Sequence, residues 1–450
     1  MRKILVAMLA LVACAKTDNA RTDTGAGRST GARAEGQAQP CPGDNAGLKL
    51  SNGFCATVFA DSVGHARHIA VAPNGDVYVN TWSGSYYGNE KLPAGGFLVV
   101  LRDSTRDGKA DVVARFGTTK AGGGSGGTGI ALFRDALYAE EGSRIVRYAL
   151  PAGGLAPTAK SETIVSGLPL TGDHPMHPFA IDSGGAMYLS SGSATNSCQT
   201  KNRTLESPGR KPCTELETRA GVWLYDAKTP GHAFSAKERY ATGIRNPVGI
   251  TIAPDNTPWV TQHGRDQLAE NWPKLYTAQQ GQDLPAEELM PLERGADFGW
   301  PYCYYDGAQE KLVLAPEYGG DGGKAVGECA SKKAAAAAFP AHMAPDGIVF
   351  YTGSQFPARY KDGVFIAFHG SWNRAPGPQE GYYVVFQPLT NGKPSGKFEI
   401  FADDFAGPNK QPDAAQHRPV GVAQGPDGAL YVTDDKAGRV YRITYGAANH

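Results

Sequence analysis

The chain has 450 residues, 41% of them hydrophobic, and carries 44 Lys plus Arg against 44 Asp plus Glu. That balance offers no basic surface for nucleic acid and no acidic tail. Fifty-eight glycines and 31 prolines make it rich in turns, a composition that fits an all-β protein best, although length alone allows two or three average domains or one large propeller.

At the N-terminus, Arg2 and Lys3 precede the apolar run ILVAMLALVA, which is too short to span a bilayer and has the shape of a secretory signal. The stretch LVAC resembles the bacterial lipobox, so residues 1–14 are expected to form a lipoprotein-type signal peptide ending at a lipidated Cys14. Several acyl chains, at about 0.8 kcal/mol per buried methylene, would anchor the protein stably to a membrane. Residues 15–40 have almost no large apolar side chains and are expected to be a disordered tether reaching about 25 to 30 Å. The functional body then occupies 41–450, on the periplasmic face of a membrane or secreted. Its six cysteines fall into the local pairs Cys41 with Cys55, Cys198 with Cys213 and Cys303 with Cys329. In an exported chain these are expected to be disulfides, and local pairing is favoured among the possible connectivities. No CxxC spacing or His/Cys cluster at zinc distances points to a metal on sulfur.

Internal repetition predicts the fold. HIAVAPNGDVYVNT at 68–81, PFAIDSGGAMYLSSG at 178–192, VGITIAPDNTPWVTQHG at 248–264 and VGVAQGPDGALYVTDD at 420–435 share one pattern: apolar alternation, a Gly/Asn/Asp turn, apolar alternation, hence a hairpin. Weaker copies at 129–150 and 347–370 bring the number to six. Six copies at intervals of roughly 50 to 90 residues predict a six-bladed β-propeller with long loop insertions. FCATVFA near the start is expected to pair with GRVYRITY at the end and close the ring. The segment from about Gln262 to Ala338, ending in the alanine run KKAAAAAFP, reads as the largest insertion, a rim or lid with short helices.

In a propeller the loops at the ends of the inner strands surround the central channel, and polar residues recur there. Asp173 and His174 precede the second strong hairpin; Arg245 and Asn246 precede the third, and Gln262 to Asp266 follow it. FHGSWNR contains His369 and Trp372, and QHRPVG contains Arg418. Convergence of arginines and histidines at equivalent blade positions suits a polycarboxylate or sugar ligand.

The segments GIRNPVGITIAPD, GDHPMHPFAID, ADFGWP, AFHGSWNR and HRPVGVAQGPDGALYVTDD resemble the soluble quinoprotein sugar dehydrogenases: soluble glucose dehydrogenase, aldose sugar dehydrogenase and, most of all, the sorbosone dehydrogenase-like proteins. The resemblance runs over about residues 48–446 and implies a six-bladed propeller that binds pyrroloquinoline quinone (PQQ) and Ca2+ and oxidises aldoses at C1. It assigns His174 as the base that removes the hydroxyl proton while hydride leaves for the quinone, a task suited to a neutral imidazole. It places Arg245 where negative charge builds on the quinone oxygen. Asn246, His263, His369 and Arg418 fall at or near the quinone contacts, with Arg67 a further candidate, and the carbonyls of Gly264 and Arg265 are the implied calcium ligands. A sugar substrate and an electron acceptor such as a cytochrome or a quinone follow from the same likeness.

The chain departs from that pattern in places. Ser193 stands where the glucose enzymes carry the Asp that orients the base, and His263 where they carry Gln. Asp173 is an alternative orienting group, and His177 competes with His174 as the base. A quinone-contacting Lys has no counterpart. Trp300, Tyr302, Tyr304 and Tyr305 in DFGWPYCYYD suit either ligand stacking or rim packing. GGGSGGTG at 122–129 lacks the Lys of a phosphate loop and reads as a flexible loop. Two other functions remain open to a propeller of this kind: a non-catalytic binder of saccharides or proteins, and a calcium-dependent lactonase.

Overall fold

The computed structural model describes residues 41, 43–82, 94–117 and 127–446; residues 1–40, expected above to be a signal peptide and tether, lie outside them. Alternating apolar runs bounded by tight turns form strands, and these assemble into a six-bladed propeller. Blade 1 comprises Ala66–Val71, Val77–Thr81, Leu98–Arg102 and Val112–Phe116. Blade 2 comprises Ile130–Phe133, Ala136–Glu141, Arg144–Ala149 and Glu162–Ser166, and blade 3 Phe179–Ile181, Ala186–Ser191, Gly221–Asp226 and Arg239–Thr242. Blade 4 comprises Ile250–Ile252, Pro258–Gln262, Glu287–Pro291 and Ala337–Phe339, and blade 5 Pro345–Phe350, Gly363–Phe368, Tyr383–Thr390 and Glu399–Asp403. Blade 6 closes the ring: Pro419–Gln424, Leu430–Asp434 and Val440–Tyr445 are joined by the early strand Phe54–Ala60. Phe54 lies opposite Tyr445 and Cys55 opposite Thr444, so both termini of the body share one sheet and no blade is left with an open seam.

The first strands of successive blades touch in a closed circle around the axis. They come close enough that side chains are excluded in places: a Cβ on Gly347 would lie 2.1 Å from the Val420 carbonyl oxygen, and one on Gly421 2.6 Å from that of Arg67. Farther out, the blades are glued by apolar faces. Leu98 and Val100 of blade 1 pack with Leu137 and Val146 of blade 2, all fully buried, and each such side chain contributes about 1.5–3 kcal/mol. The three local disulfides are present as the sequence suggests.

The segment 262–338 is only partly an insertion. It carries two short helices, Leu268–Asn271 and Ala278–Asp283, and a hairpin of Cys303–Asp306 with Lys311–Leu314. It also supplies the third and fourth strands of blade 4, and the alanine run ends as that fourth strand, with Ala338 opposite Glu288. Backbone pairing at a sheet edge makes little demand on side-chain type, which is why an alanine-rich strand is hard to read. Among the described residues, no helix is long and apolar enough to cross a membrane.

Candidate active site

Because neighbouring strands in a blade are antiparallel, the start of each first strand and the end of each second strand lie at the same face. That face gathers Arg67 from blade 1, Arg245, Asn246 and His263 from blade 4, Asp346 and His369 from blade 5 and Arg418 from blade 6, with His174 on the loop entering blade 3. These residues line a cavity of about 320 Å³, a size typical of small-molecule sites. A larger cavity of about 430 Å³ lies further along the channel. Its wall is mostly aliphatic backbone-rich strand, so the ionisable chemistry belongs to the smaller one.

His174 is buried, and its Nδ1 lies 2.9 Å from the Ser193 carbonyl oxygen and 3.0 Å from Ser193 Oγ. Ser193 Oγ itself donates to the Thr195 carbonyl at 2.6 Å, so both oxygens facing Nδ1 act as acceptors. Nδ1 therefore carries the proton and Nε2 keeps its lone pair. Burial, followed by the nearby Arg245 guanidinium, holds the imidazole well below its usual pKa, which keeps it neutral. No carboxylate orients it: Asp173 turns to Arg203, 3.0 Å away. His177 is fully buried against Glu140, Nδ1 to Oε1 3.2 Å, and does not line the cavity.

Arg245 is set by GIRNPVGI. A Cβ at Gly243 would meet the Gly299 nitrogen at 2.5 Å, so only glycine brings this strand entrance so close to the DFGWP segment. The Arg245 guanidinium is held by the Asn196 carbonyl oxygen at 3.0 Å, Asn196 Oδ1 at 2.9 Å, the Gly264 carbonyl at 2.8 Å and Asp266 Oδ2 at 2.8 Å. Asp266 is shared with Arg203 and Asn373, each at 2.9 Å. Asn246 Nδ2 reaches His263 Nδ1 at 3.3 Å, and His263 Nε2 lies 3.0 Å from Asp346 Oδ1.

A second charged cluster joins three blades. Arg67 is paired with Asp435 at 2.7 Å and with Asp346 at 3.3 Å, and His369 contacts Asp435 at 2.9 Å. Burial would raise both aspartates, but the surrounding His and Arg groups hold them well below the usual carboxylate range. Burial and Arg418 push His369 down. For His263, burial acts downward but is outweighed by Asp346 and Glu287, so its pKa is raised. Arg418 differs from Arg67 and Arg245, because its guanidinium donates to two carbonyls, those of His369 at 3.1 Å and Gly370 at 3.0 Å, and not to a carboxylate. Its charge is available to an anion in the cavity.

Of the two implied calcium ligands, Gly264 lines this cavity, whereas Arg265 lines a small adjoining one and pairs with Glu317. Glu287 places a carboxylate beside Gly264, accepting from its N–H at 2.8 Å. The Gly264 carbonyl, which also accepts from Arg245, and Glu287, which also accepts from the Ala344 N–H, are the oxygens this wall has to offer a hard divalent ion. Sequence reading missed Asp346, Asp435, Arg203, Glu287 and His342 as members of the site. The aromatic residues of DFGWPYCYYD pack in the rim: Trp300 Nε1 donates to the Asn196 carbonyl at 3.1 Å, and the hydroxyls of Tyr304 and Tyr276 lie 3.1 Å apart. Residues 122–126 of the glycine-rich stretch lie outside the described residues; at its end the N–H groups of Thr128 and Gly129 donate to Glu140 at 2.8 and 2.9 Å.

The chain matches a family model described as TrAA12-like over residues 48–446. It is similar in structure to a Trichoderma reesei protein of Carbohydrate-Active Enzymes Family AA12, in a calcium structure, with TM-score 0.68 and 19% identity, covering 89% of this chain and 97% of that one. The holo form of the pyranose dehydrogenase PQQ domain from Coprinopsis cinerea gives TM-score 0.68 and 19% identity, covering 88% and 97%. An uncharacterized protein of Borreliella burgdorferi is 29% identical over 220 residues, 46% of this chain and 49% of that protein. The chain thus spans about half the length of the curated relative it matches.

Proposed function

The chain belongs to the TrAA12-like family, and from that membership and the cavity we propose that it is a PQQ- and calcium-dependent dehydrogenase that oxidises an aldose, or a related aldehyde or alcohol, at C1. The observation that carries this reading is a neutral imidazole, His174, in the wall of a cavity also lined by Arg67, Arg245 and Arg418. Three guanidiniums from three blades suit a planar, oxygen-rich anion. Arg418, whose guanidinium has no carboxylate partner, is the group best placed to take a cofactor carboxylate, with His369 beside it and Asn246 elsewhere in the same wall. The Gly264 carbonyl and Glu287 are the oxygens offered to calcium.

The quinone, when bound, supplies an acceptor for the hydride leaving the sugar carbon. His174 Nε2 takes the hydroxyl proton; its lone pair is available because Ser193 fixes the proton on Nδ1. Arg245 cannot swing freely, being tied to Asn196, Asp266 and Gly264, and so presents a fixed positive charge where an oxyanion develops. Asp266 partly offsets that charge and also holds Arg203 and Asn373, which keeps the wall rigid. The lipobox-like LVAC and the three disulfides support an exported, lipid-anchored protein that passes electrons to a cytochrome or quinone.

Reconstitution tests the reading. Purified protein given PQQ and calcium is expected to retain quinone absorbance and to reduce an electron-accepting dye with at least one sugar of a panel of aldoses and ketoaldehydes. Retention of no quinone and turnover of no sugar would overturn it.

A further inference from the structure

Two loops are tethered to Asp266 at the mouth of the cavity, and a third is joined to them through Arg203. Asn373 Nδ2 donates to Asp266 Oδ1 at 2.9 Å and Arg203 Nη2 to its Oδ2 at 2.9 Å, while Arg203 Nε also reaches Asp173 at 3.0 Å. Each loop exposes one large apolar side chain within three residues of its tether: Trp372 next to Asn373, Leu205 near Arg203 and Leu170 near Asp173. They are 54%, 61% and 49% exposed. Among the large apolar side chains exposed in the described residues, Trp372 is the one that lines this cavity.

Trp372 is the most telling of the three, because everything around it is fixed. Ser371 is fully buried and its carbonyl accepts from the Tyr382 hydroxyl at 2.8 Å; Arg374 donates to the Ala341 carbonyl at 2.9 Å. A rigid loop that buries its polar neighbours and leaves an indole in water gains nothing for folding from that indole. Trp372 also lines the cavity, so a molecule bound there has an indole within its wall. An indole face takes a flat, partly apolar ring with polar edges. A pyranose fits that description, its C–H face against the indole and its hydroxyls toward the charged side chains of the wall.

We propose that this lip is a second saccharide subsite, with Trp372 as its stacking platform, so that the substrate is the reducing end of an oligosaccharide rather than a lone monosaccharide. The inference rests on the sugar-oxidising reading of the cavity. The charged interior takes the terminal ring, and the apolar lip takes the rings that do not react. Binding energy from those remote rings then raises kcat/KM for longer substrates.

The test compares wild-type protein with Trp372→Ala and Trp372→Phe, at an exposed position where folding is not at stake. With PQQ and calcium supplied, the ratio of kcat/KM for a trisaccharide to that for its monosaccharide is expected to exceed one. It should fall about three- to tenfold in Trp372→Ala, the scale of one aromatic contact, with recovery in Trp372→Phe. Independently of turnover, oligosaccharides reduced to a terminal alditol, which have no hemiacetal to oxidise, should change the indole fluorescence of wild type and not of Trp372→Ala. Turnover of sugars with an unchanged ratio in Trp372→Ala overturns the subsite and leaves the dehydrogenase reading standing. Loss of the fluorescence response in Trp372→Ala, with no sugar oxidised by wild type, supports the subsite and sinks the dehydrogenase. A variant effect seen only with a protein electron acceptor, and not with a small dye, reassigns the lip to partner docking and also overturns the subsite.

Discussion

Ser193 holds His174 by two oxygens at once, its carbonyl at 2.9 Å and its hydroxyl at 3.0 Å from Nδ1. The main-chain contact survives any substitution that keeps the backbone in place. Ser193→Ala is therefore expected to lower kcat only modestly, about two- to fivefold, the effect of one neutral hydrogen bond. Ser193→Asp puts a carboxylate beside the ring, favours its protonated form and moves the acid limb of the kcat profile to higher pH. A pH profile of the two variants beside wild type checks both outcomes.

His174 itself is predicted to be indispensable for turnover and dispensable for binding. Removing a general base costs about 10²- to 10⁴-fold, so His174→Ala should lose that much in kcat while PQQ absorbance titration shows the quinone still bound. Burial holds the wild-type imidazole well below its ordinary value of 6.5. The active, neutral form is then the populated one at pH 6.5, and the wild-type acid limb is expected to begin below that value rather than at it.

Arg418 is expected to act through cofactor affinity. Arg67 and Arg245 already share carboxylates of the protein, whereas Arg418 is bonded to the carbonyls of His369 and Gly370. Truncating it to Ala removes a charge-assisted pair with the ligand, about 1.5–3 kcal/mol, or roughly ten- to a hundredfold in Kd for PQQ. Titration of apoprotein with PQQ measures this directly. Saturating quinone should restore most of the turnover in Arg418→Ala and none in His174→Ala.

The propeller was legible because each hairpin repeats the same turn chemistry between the same apolar alternations, and the closing strand pairing follows from the need to cover an edge. The site was legible where a charged residue breaks an apolar run, as at Arg245 and Arg418. It was hidden where the same letters serve another purpose. PDG in GPDG at 425–428 is a hairpin turn, but PDG at 345–347 opens the first strand of blade 5, and its Asp346 points into the site. Asp435 reads as a strand-end turn residue for the same reason. Arg203, His342 and Glu287 come from loops and an outer strand, whose approach to the axis depends on tertiary packing and leaves no local signal. The orienting group of His174 was ambiguous between Ser193 and Asp173 because adjacency in sequence says nothing about which way a side chain turns; Arg203, thirty residues on, draws Asp173 away.

Asp346 links the site to folding, and its replacement makes the sharpest stability prediction. It contacts His263 at 3.0 Å, Arg67 at 3.3 Å and His369 at 3.7 Å from a fully buried position. Asp346→Asn keeps the shape and removes the charge, leaving three cationic or titratable groups short of a partner. Arg67 retains Asp435 at 2.7 Å, so the loss is expected near the lower end of the range for a broken buried pair, about 3 kcal/mol at pH 7 by urea unfolding. The pH dependence has a definite sign. A carboxylate held below its unfolded value near 3.9 stabilises the fold above that pH and stops doing so as the pH falls through the native value. His68, which burial pushes down to about 4, favours the neutral native form, so stability also falls as the pH drops from about 6.5 toward 4. His263 acts oppositely: its raised value gives stability that is present below 6.5 and is lost as the pH rises through the native value. Wild type should therefore lose stability in two acid steps, one between about 6.5 and 4 and one below 4. Asp346→Asn should flatten the lower step, and it should abolish the contribution of His263 by removing the charge that raises it. An unchanged lower step in the variant would show that Asp435, and not Asp346, governs the acid unfolding.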